Sequence, residues 1–190
     1  MGWLKNREKL HEAAISSIKA ISKNKDLSSK NGIAQRPPSK NQASISSTPR
    51  SSKDLSSWRG ESDFQAFWHL HHRNNKEVAL TLPARMVFNE LEMSRVEILG
   101  SNEYKGAKKN IIEYLEAKSI NMDDEKSPNF LALCSNLWLK DCLGMQLSPA
   151  SKKLLENFEN KYSSIDLELV KNKFIEIKNS ETPILIILAI

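Results

Sequence analysis

The sequence is poor in cysteine, in long apolar runs and in aromatic residues, and these shortages exclude several classes of protein. Only Cys134 and Cys142 occur among 190 residues, without a CxxC pair, so a disulfide framework and a zinc ribbon are excluded. The longest apolar run is 184–190, whereas a membrane-spanning helix needs roughly 20 such residues. Charge interrupts the N-terminus within five residues, unlike a secretory signal. We therefore expect a cytoplasmic protein without a membrane span.

Motifs of the common enzyme classes are missing as well. The sequence contains no P-loop, no nucleophile elbow and no GxGxxG fingerprint, which are the loops that cradle phosphates or expose a nucleophile. We therefore predict no catalytic residue and no cofactor-binding residue in this chain.

The positive charge is concentrated near the N-terminus. Residues 1–60 carry 12 Lys+Arg and 4 Asp+Glu, whereas residues 61–190 carry 16 and 19. Within the basic part, residues 22–57 contain 11 serines, three prolines and only four large apolar side chains. Such a segment buries too little surface to offset an ordering cost of about 1–2 kcal/mol per residue. We therefore predict a flexible linker. Its lysines could touch phosphates, but it has no aromatic side chain for base stacking. Nucleic acid is therefore disfavoured as a partner.

Apolar periodicity elsewhere predicts an all-α fold. Residues 1–21 form an amphipathic helix with a stripe of Leu10, Ala14, Ile18 and Ile21. A helical domain follows at 58–178, in which Ser127-Pro128 and Ser148-Pro149 mark two helix starts and Gly144 a stop. A last helix is expected after residue 164, and 179–190 form an apolar tail. No segment alternates apolar and polar residues, so a sheet is not expected.

Arg95 is unusual because it falls on the apolar side of a predicted helix over 84–99. At 100° per residue it shares an arc of about 120° with Ala84, Val87, Phe88, Leu91, Ile98 and Leu99. An unpaired charge on a buried face is costly, and both Glu92, one turn earlier, and Asp63 are available as partners. We favour an internal ion pair over an arginine reserved for an anionic ligand.

Three histidines form a cluster with metal-ligating potential. His69 and His72 are one turn apart, a spacing that can share a metal, with His71 between them. No HExxH-like pattern accompanies them, and Cys134 and Cys142 are expected to be small core residues. We predict no metal site, with a small metalloenzyme built on the histidines as a rival hypothesis.

A set of motifs over 59–111 has the order and spacing of a known family. It reads Arg59-Gly60-x-x-Asp63-x-x-Ala66, His72, Ala84-Arg85-x-Val87-Phe88-x-x-Leu91-Glu92-x-x-Arg95-Val96-Glu97-x-Leu99-Gly100 and Gly106-x-x-x-Asn110-Ile111. The set resembles the N-terminal region of the CobT subunit of aerobic cobaltochelatase. The resemblance implies structural or interface roles for Arg59, Gly60, Asp63, His72, Arg85, Glu92, Arg95, Glu97, Gly100, Gly106 and Asn110.

The resemblance also implies a function. The enzyme inserts cobalt into hydrogenobyrinic acid a,c-diamide in aerobic cobalamin biosynthesis, with a AAA+ ATPase subunit and a large tetrapyrrole-binding subunit as partners. ATP, Mg and cobalt belong to that complex, so this chain should hold no cofactor. The family's von Willebrand A domain and its DxSxS motif do not occur in the sequence. We therefore expect a truncated, non-catalytic protein–protein adaptor that recruits its partner through the surface around 59–99. The alternative is a nucleic-acid adaptor that uses the basic arm, the Ser/Lys-rich segment at 22–57. Self-association is left open.

Overall fold

The fold is mostly helical, as the sequence predicted. The computed structural model describes residues 7–46, 48–49, 51–73, 80–122 and 124–162, together with Asn172. The described residues form six α-helices, one 3-10 helix (Ser52–Asp54) and two strands: α1 (Arg7–Ile21), β1 (Ser28–Asn31), β2 (Gln42–Ile45), α2 (Leu55–His71), α3 (Leu82–Glu103), α4 (Lys105–Ile120), α5 (Pro128–Cys142) and α6 (Pro149–Lys161). Within these ranges, no helix combines the length and apolarity that a membrane span requires. The helix expected after residue 164 and the apolar tail lie outside the described residues.

The chain divides into two compact units. Unit 1 takes the described residues of Met1–His72 and Val96–Lys118, and unit 2 takes those of Arg73–Arg95 and Ser119–Ile190. The helix α3 therefore contributes its N-terminal part to unit 2 and its C-terminal part to unit 1.

The core of unit 1 forms where α1 packs against α2 and β2. The stripe predicted on α1 faces this core: Ala14 and Ile18 are buried, and Leu10 and Ile21 pack against the same cluster. From α2, Trp58 and Ala66 complete the cluster. The apolar stripe thus stabilises unit 1 by removing one face of α1 from water.

The predicted linker over 22–57 contributes regular structure and core residues to unit 1. The strands β1 and β2 pair in parallel, with Ser28 opposite Gln42, and Leu27, Ala43 and Ile45 are buried. The sequence did not predict this small sheet, because its strands lack the alternation of apolar and polar residues that marks a strand. Composition suggested no packed contacts because the segment alone has too few apolar residues for a core. It acquires them by docking three apolar side chains onto α1 and α2, which supply the rest of the buried surface.

Unit 2 contains the two helices whose ends the sequence marked most clearly. The hydroxyl oxygen of Ser127 accepts from the Phe130 N–H at the start of α5, and Ser148 accepts from the Ser151 N–H at the start of α6. Both helices begin with a proline, as predicted. Gly144 adopts φ +74°, the left-handed conformation expected after a helix C-terminus, and α5 packs against α6.

Candidate interaction site

Two of the motif glycines are positions where helices of unit 1 approach closely. A Cβ atom on Gly60 would overlap the Asn110 carbonyl oxygen, and one on Gly100 would overlap the ring of Phe67. Both glycines therefore maintain packing that no larger residue permits. By contrast, a Cβ on Gly106 would meet nothing within 4 Å.

The motif carboxylates of unit 1 are buried and bonded within the chain. Asp63 is 4% exposed, and its Oδ2 accepts from the Asn110 Nδ2 at 2.8 Å. Burial raises the pKa of Asp63, against the opposing effects of the Asn110 hydrogen bond and the Arg59 charge. Glu97 is fully buried and pairs with Arg36, with 3.1 Å between Arg36 Nη1 and Glu97 Oε1. Both carboxylates are therefore held by partners within unit 1.

Arg36, in the predicted linker, bonds both a buried carboxylate and a tyrosine hydroxyl, although no motif or periodicity singled it out. Its guanidinium carbon lies 4.1 Å from the centroid of the Phe64 ring, and its Nη1 also donates to the Tyr114 hydroxyl at 3.4 Å. Gln65 fixes the neighbouring backbone: its Oε1 accepts from the Ser44 N–H at 3.1 Å, and its Nε2 donates to the Gln35 carbonyl at 3.0 Å. The segment is thus held to α2 and α4 by polar contacts as well as by its apolar residues.

The basic motif residues Arg59, His72 and Arg85 differ in exposure. Arg59 and Arg85 are exposed. His72 caps the C-terminus of α2 and stacks on Trp68, with ring centroids 3.9 Å apart and 12° between the planes. The two arginines are therefore the motif residues whose exposed side chains can contact a partner.

Arg95 and Glu92 form the internal ion pair that the helical spacing predicted. Arg95 donates through Nε and Nη2 to the two carboxylate oxygens of Glu92, at 2.8 and 2.7 Å. The Glu92 side chain is 2% exposed and that of Arg95 is 31% exposed. Asp63, the other candidate partner, bonds Asn110 instead. Leu99 departs from the predicted buried arc, since it is 40% exposed.

Unit 2 contains a buried lysine that the apolar pattern of α5 concealed. Lys140 is fully buried, and its Nζ donates to the Asn136 Oδ1 at 2.6 Å and the Ser94 Oγ at 3.2 Å. Asn136 in turn donates through Nδ2 to the backbone carbonyl and the carboxylate of Glu90, both at 3.0 Å. This polar network joins α5 to α3.

The three histidines occupy three different environments. Burial lowers the pKa of His69, His71 faces Glu103 with 3.5 Å between Nε2 and Oε2, and His72 stacks on Trp68. Across the described part of the chain, no group of three His, Cys, Asp or Glu residues could hold a metal ion.

The two cysteines differ in burial, although both were expected in the core. Cys134 is buried, and burial raises the pKa of its thiol to about 12. Cys142 is partly exposed, because it lies at the last position of α5.

An open cleft of about 330 Å³ lies on the surface of unit 1. Its lining includes Ser46, Asp54, Trp58, Glu61 and Tyr114. The hydroxyl of Ser46 donates to the Glu61 carboxylate, while the Ser46 carbonyl accepts from the Trp58 Nε1 at 3.3 Å. Burial raises the pKa of Glu61, against hydrogen bonding from Ser46 and the charges of Arg36 and Lys118. Neither the motifs nor the apolar periodicity indicated this site.

Residues 4–126, more than half of the chain, match the family described as cobalamin biosynthesis protein CobT. The chain belongs to the CobT family. The match confirms the resemblance drawn from 59–111, and it also covers α1 and the 22–57 segment, so both belong to the CobT-like region. CobT membership gives the chain a general role in cobalamin biosynthesis. Neither the curated proteins nor the solved structures compared with the chain match it.

Proposed function

We propose that this CobT-family chain is a non-catalytic subunit of the ATP-dependent cobaltochelatase that inserts cobalt into hydrogenobyrinic acid a,c-diamide. It acts as a protein–protein adaptor between the AAA+ ATPase subunit and the large tetrapyrrole-binding subunit. The observation that carries the proposal is the family match over residues 4–126. In this account cobalt is the substrate of the assembled enzyme, and ATP with Mg is bound by the complex.

The bonding of the motif carboxylates supports an adaptor rather than a reaction centre. Asp63 bonds Asn110, Glu92 bonds Arg95 and Glu97 bonds Arg36. A carboxylate that acts as a general base must reach the proton that it removes, but these three are 2–4% exposed or fully buried. They support a preorganised binding surface instead.

An adaptor also fits the energetics of metal insertion. Distorting a stiff macrocycle and removing water from Co²⁺ both have high barriers, and ATP hydrolysis in a ring ATPase can supply the work. A subunit that transmits this work needs a rigid interior and exposed contact residues. The buried pairs provide the rigid interior, and the exposed Arg59 and Arg85 are candidate contact residues.

The test is binding of the purified partner subunits to the immobilised chain. We expect stoichiometric capture of the AAA+ subunit, and Arg59→Ala or Arg85→Ala should weaken it by about tenfold, as loss of an interface arginine does. Lys109→Ala is the matched control, since Lys109 is 80% exposed and forms only a 3.7 Å surface pair with Glu113. Failure of both partner subunits to bind the folded chain would contradict the adaptor role.

A further inference from the structure

The cleft on unit 1 is small, open and chemically mixed. Its volume of about 330 Å³ lies at the lower end of the range for ligand pockets, about 300–1,000 Å³. A space of this size is suited to a single large side chain. Two carboxylates and two aromatic rings line it, from Asp54, Glu61, Trp58 and Tyr114.

Ser46 holds two of the lining residues in place. Its hydroxyl donates to Glu61 and its carbonyl accepts from Trp58, so the carboxylate and the indole are positioned by the same residue. A carboxylate offers about four acceptor sites, which leaves Glu61 acceptor capacity beyond its bonds to Ser46. At the rim, Asp54 is exposed, and its Oδ2 accepts from the Ser51 hydroxyl at 2.9 Å.

The cations already near Glu61 have other partners. Arg36 pairs with Glu97, and Lys118 Nζ lies 6.0 Å from the centroid of the Tyr114 ring. Their charges favour ionised Glu61, yet desolvation is the larger effect and raises the pKa of that carboxyl. A further cation that bonds Glu61 directly would offset this desolvation.

We infer that the cleft binds one arginine side chain of a partner protein. The guanidinium donates to Glu61 inside the cleft and to Asp54 at its rim, and its apolar surface contacts the parts of Trp58 and Tyr114 that line the cleft. Arginine is favoured over lysine because its planar fork bonds carboxylates in pairs and stacks on aromatic rings. The side chain that the cleft binds is inferred from the cleft's lining and does not depend on the cobaltochelatase assignment.

The test is an NMR titration of the full-length, isotope-labelled chain with N-acetyl-arginine methylamide. We expect saturable shifts of the Trp58 indole N–H and of the backbone around Glu61. The citrulline analogue has the same shape without the charge, and it should bind at least about tenfold more weakly. Equal shifts with both probes, or no shifts at all, would overturn the proposal.

Variants then locate the site. Glu61→Gln should weaken binding of the arginine probe by about tenfold, whereas Glu113→Gln on α4, outside the cleft, should leave it unchanged. If the Glu61 variant does not fold, Asp54→Asn decides, because Asp54 is exposed and its removal should weaken binding by about threefold. Unchanged affinity in the folded variant would overturn the proposal.

Discussion

Burial of charge is the dominant feature at the scale of single residues. Three acidic side chains among the described residues, Asp63, Glu92 and Glu97, are buried, and each accepts a hydrogen bond from a side chain of its own unit. A buried carboxylate that loses its partner is far less stable than one that keeps it. The bonding partners are therefore the residues where substitution should matter most.

Arg95→Ala should destabilise the chain by about 3 kcal/mol, because Glu92 is left buried without this bidentate partner. This loss of unfolding free energy is at the low end of the range for a broken buried ion pair, since the Arg95 side chain is itself 31% exposed. Chemical denaturation measures the change. Lys109→Ala is the control and should cost less than about 1 kcal/mol; an equal loss in both variants would show that the Glu92 pair contributes little.

Arg36→Ala should destabilise unit 1 by about 3–5 kcal/mol, because it removes the cation bonded to the buried Glu97. Arg36→Lys should restore only part of the loss, since an ammonium keeps the charge but cannot stack on Phe64 as a guanidinium does. The exposed Lys40 provides a control from the same segment. An unfolding midpoint in Arg36→Ala equal to that of Lys40→Ala would contradict the docking of this segment.

Glu61 makes stability depend on pH. Burial raises its pKa above the ordinary value of 4.5, so its stabilising contribution is present below that pH and is lost as pH rises through the folded-state pKa. Glu61→Gln should therefore raise Tm at about pH 7.5, and the difference from the parent chain should disappear near pH 4. Thermal melts at both pH values provide the test, and a lower Tm for the variant at the higher pH would contradict the desolvation argument.

At the scale of elements, close approaches at glycine determine how the helices of unit 1 pack. Gly100→Ala should cost about 1–3 kcal/mol, because the new Cβ overlaps the Phe67 ring. Gly106→Ala should be neutral or stabilising by up to about 1 kcal/mol, since the same atom meets open space in α4. Thermal melts of the two variants separate these outcomes, and equal Tm values would show that the Phe67 contact is not limiting.

The helix ends of unit 2 show how far local sequence determines structure. Ser127, Ser148 and Gly144 could be interpreted without the fold, because capping hydroxyls and a left-handed glycine act within four residues. The Arg95–Glu92 pair was predictable for the same reason, as it depends on one helical turn. The burial of Lys140 was not predictable: Asn136 lies one helical turn earlier, but the other partner, Ser94, is 46 residues away, and apolar periodicity carries no information about such a pair.

At the scale of the whole molecule, composition gave an incomplete account of residues 22–57. The low apolar content prevents the segment from forming a core alone. It does not prevent the segment from docking onto a neighbouring surface. Arg36 and Gln65 supply much of that docking through bonds to partners distant in sequence. The same separation explains why the cleft around Glu61 was missed, since its lining comes from residues between 46 and 114.

The most direct test of the adaptor assignment compares the affinity of the full chain for the AAA+ subunit and for duplex DNA at about 50 and 200 mM salt. We expect specific binding of the AAA+ subunit that weakens only modestly with salt. Association driven by the basic arm with DNA would instead fall by orders of magnitude over the same range. Steeply salt-dependent DNA binding without detectable binding of the AAA+ subunit would contradict the cobaltochelatase role.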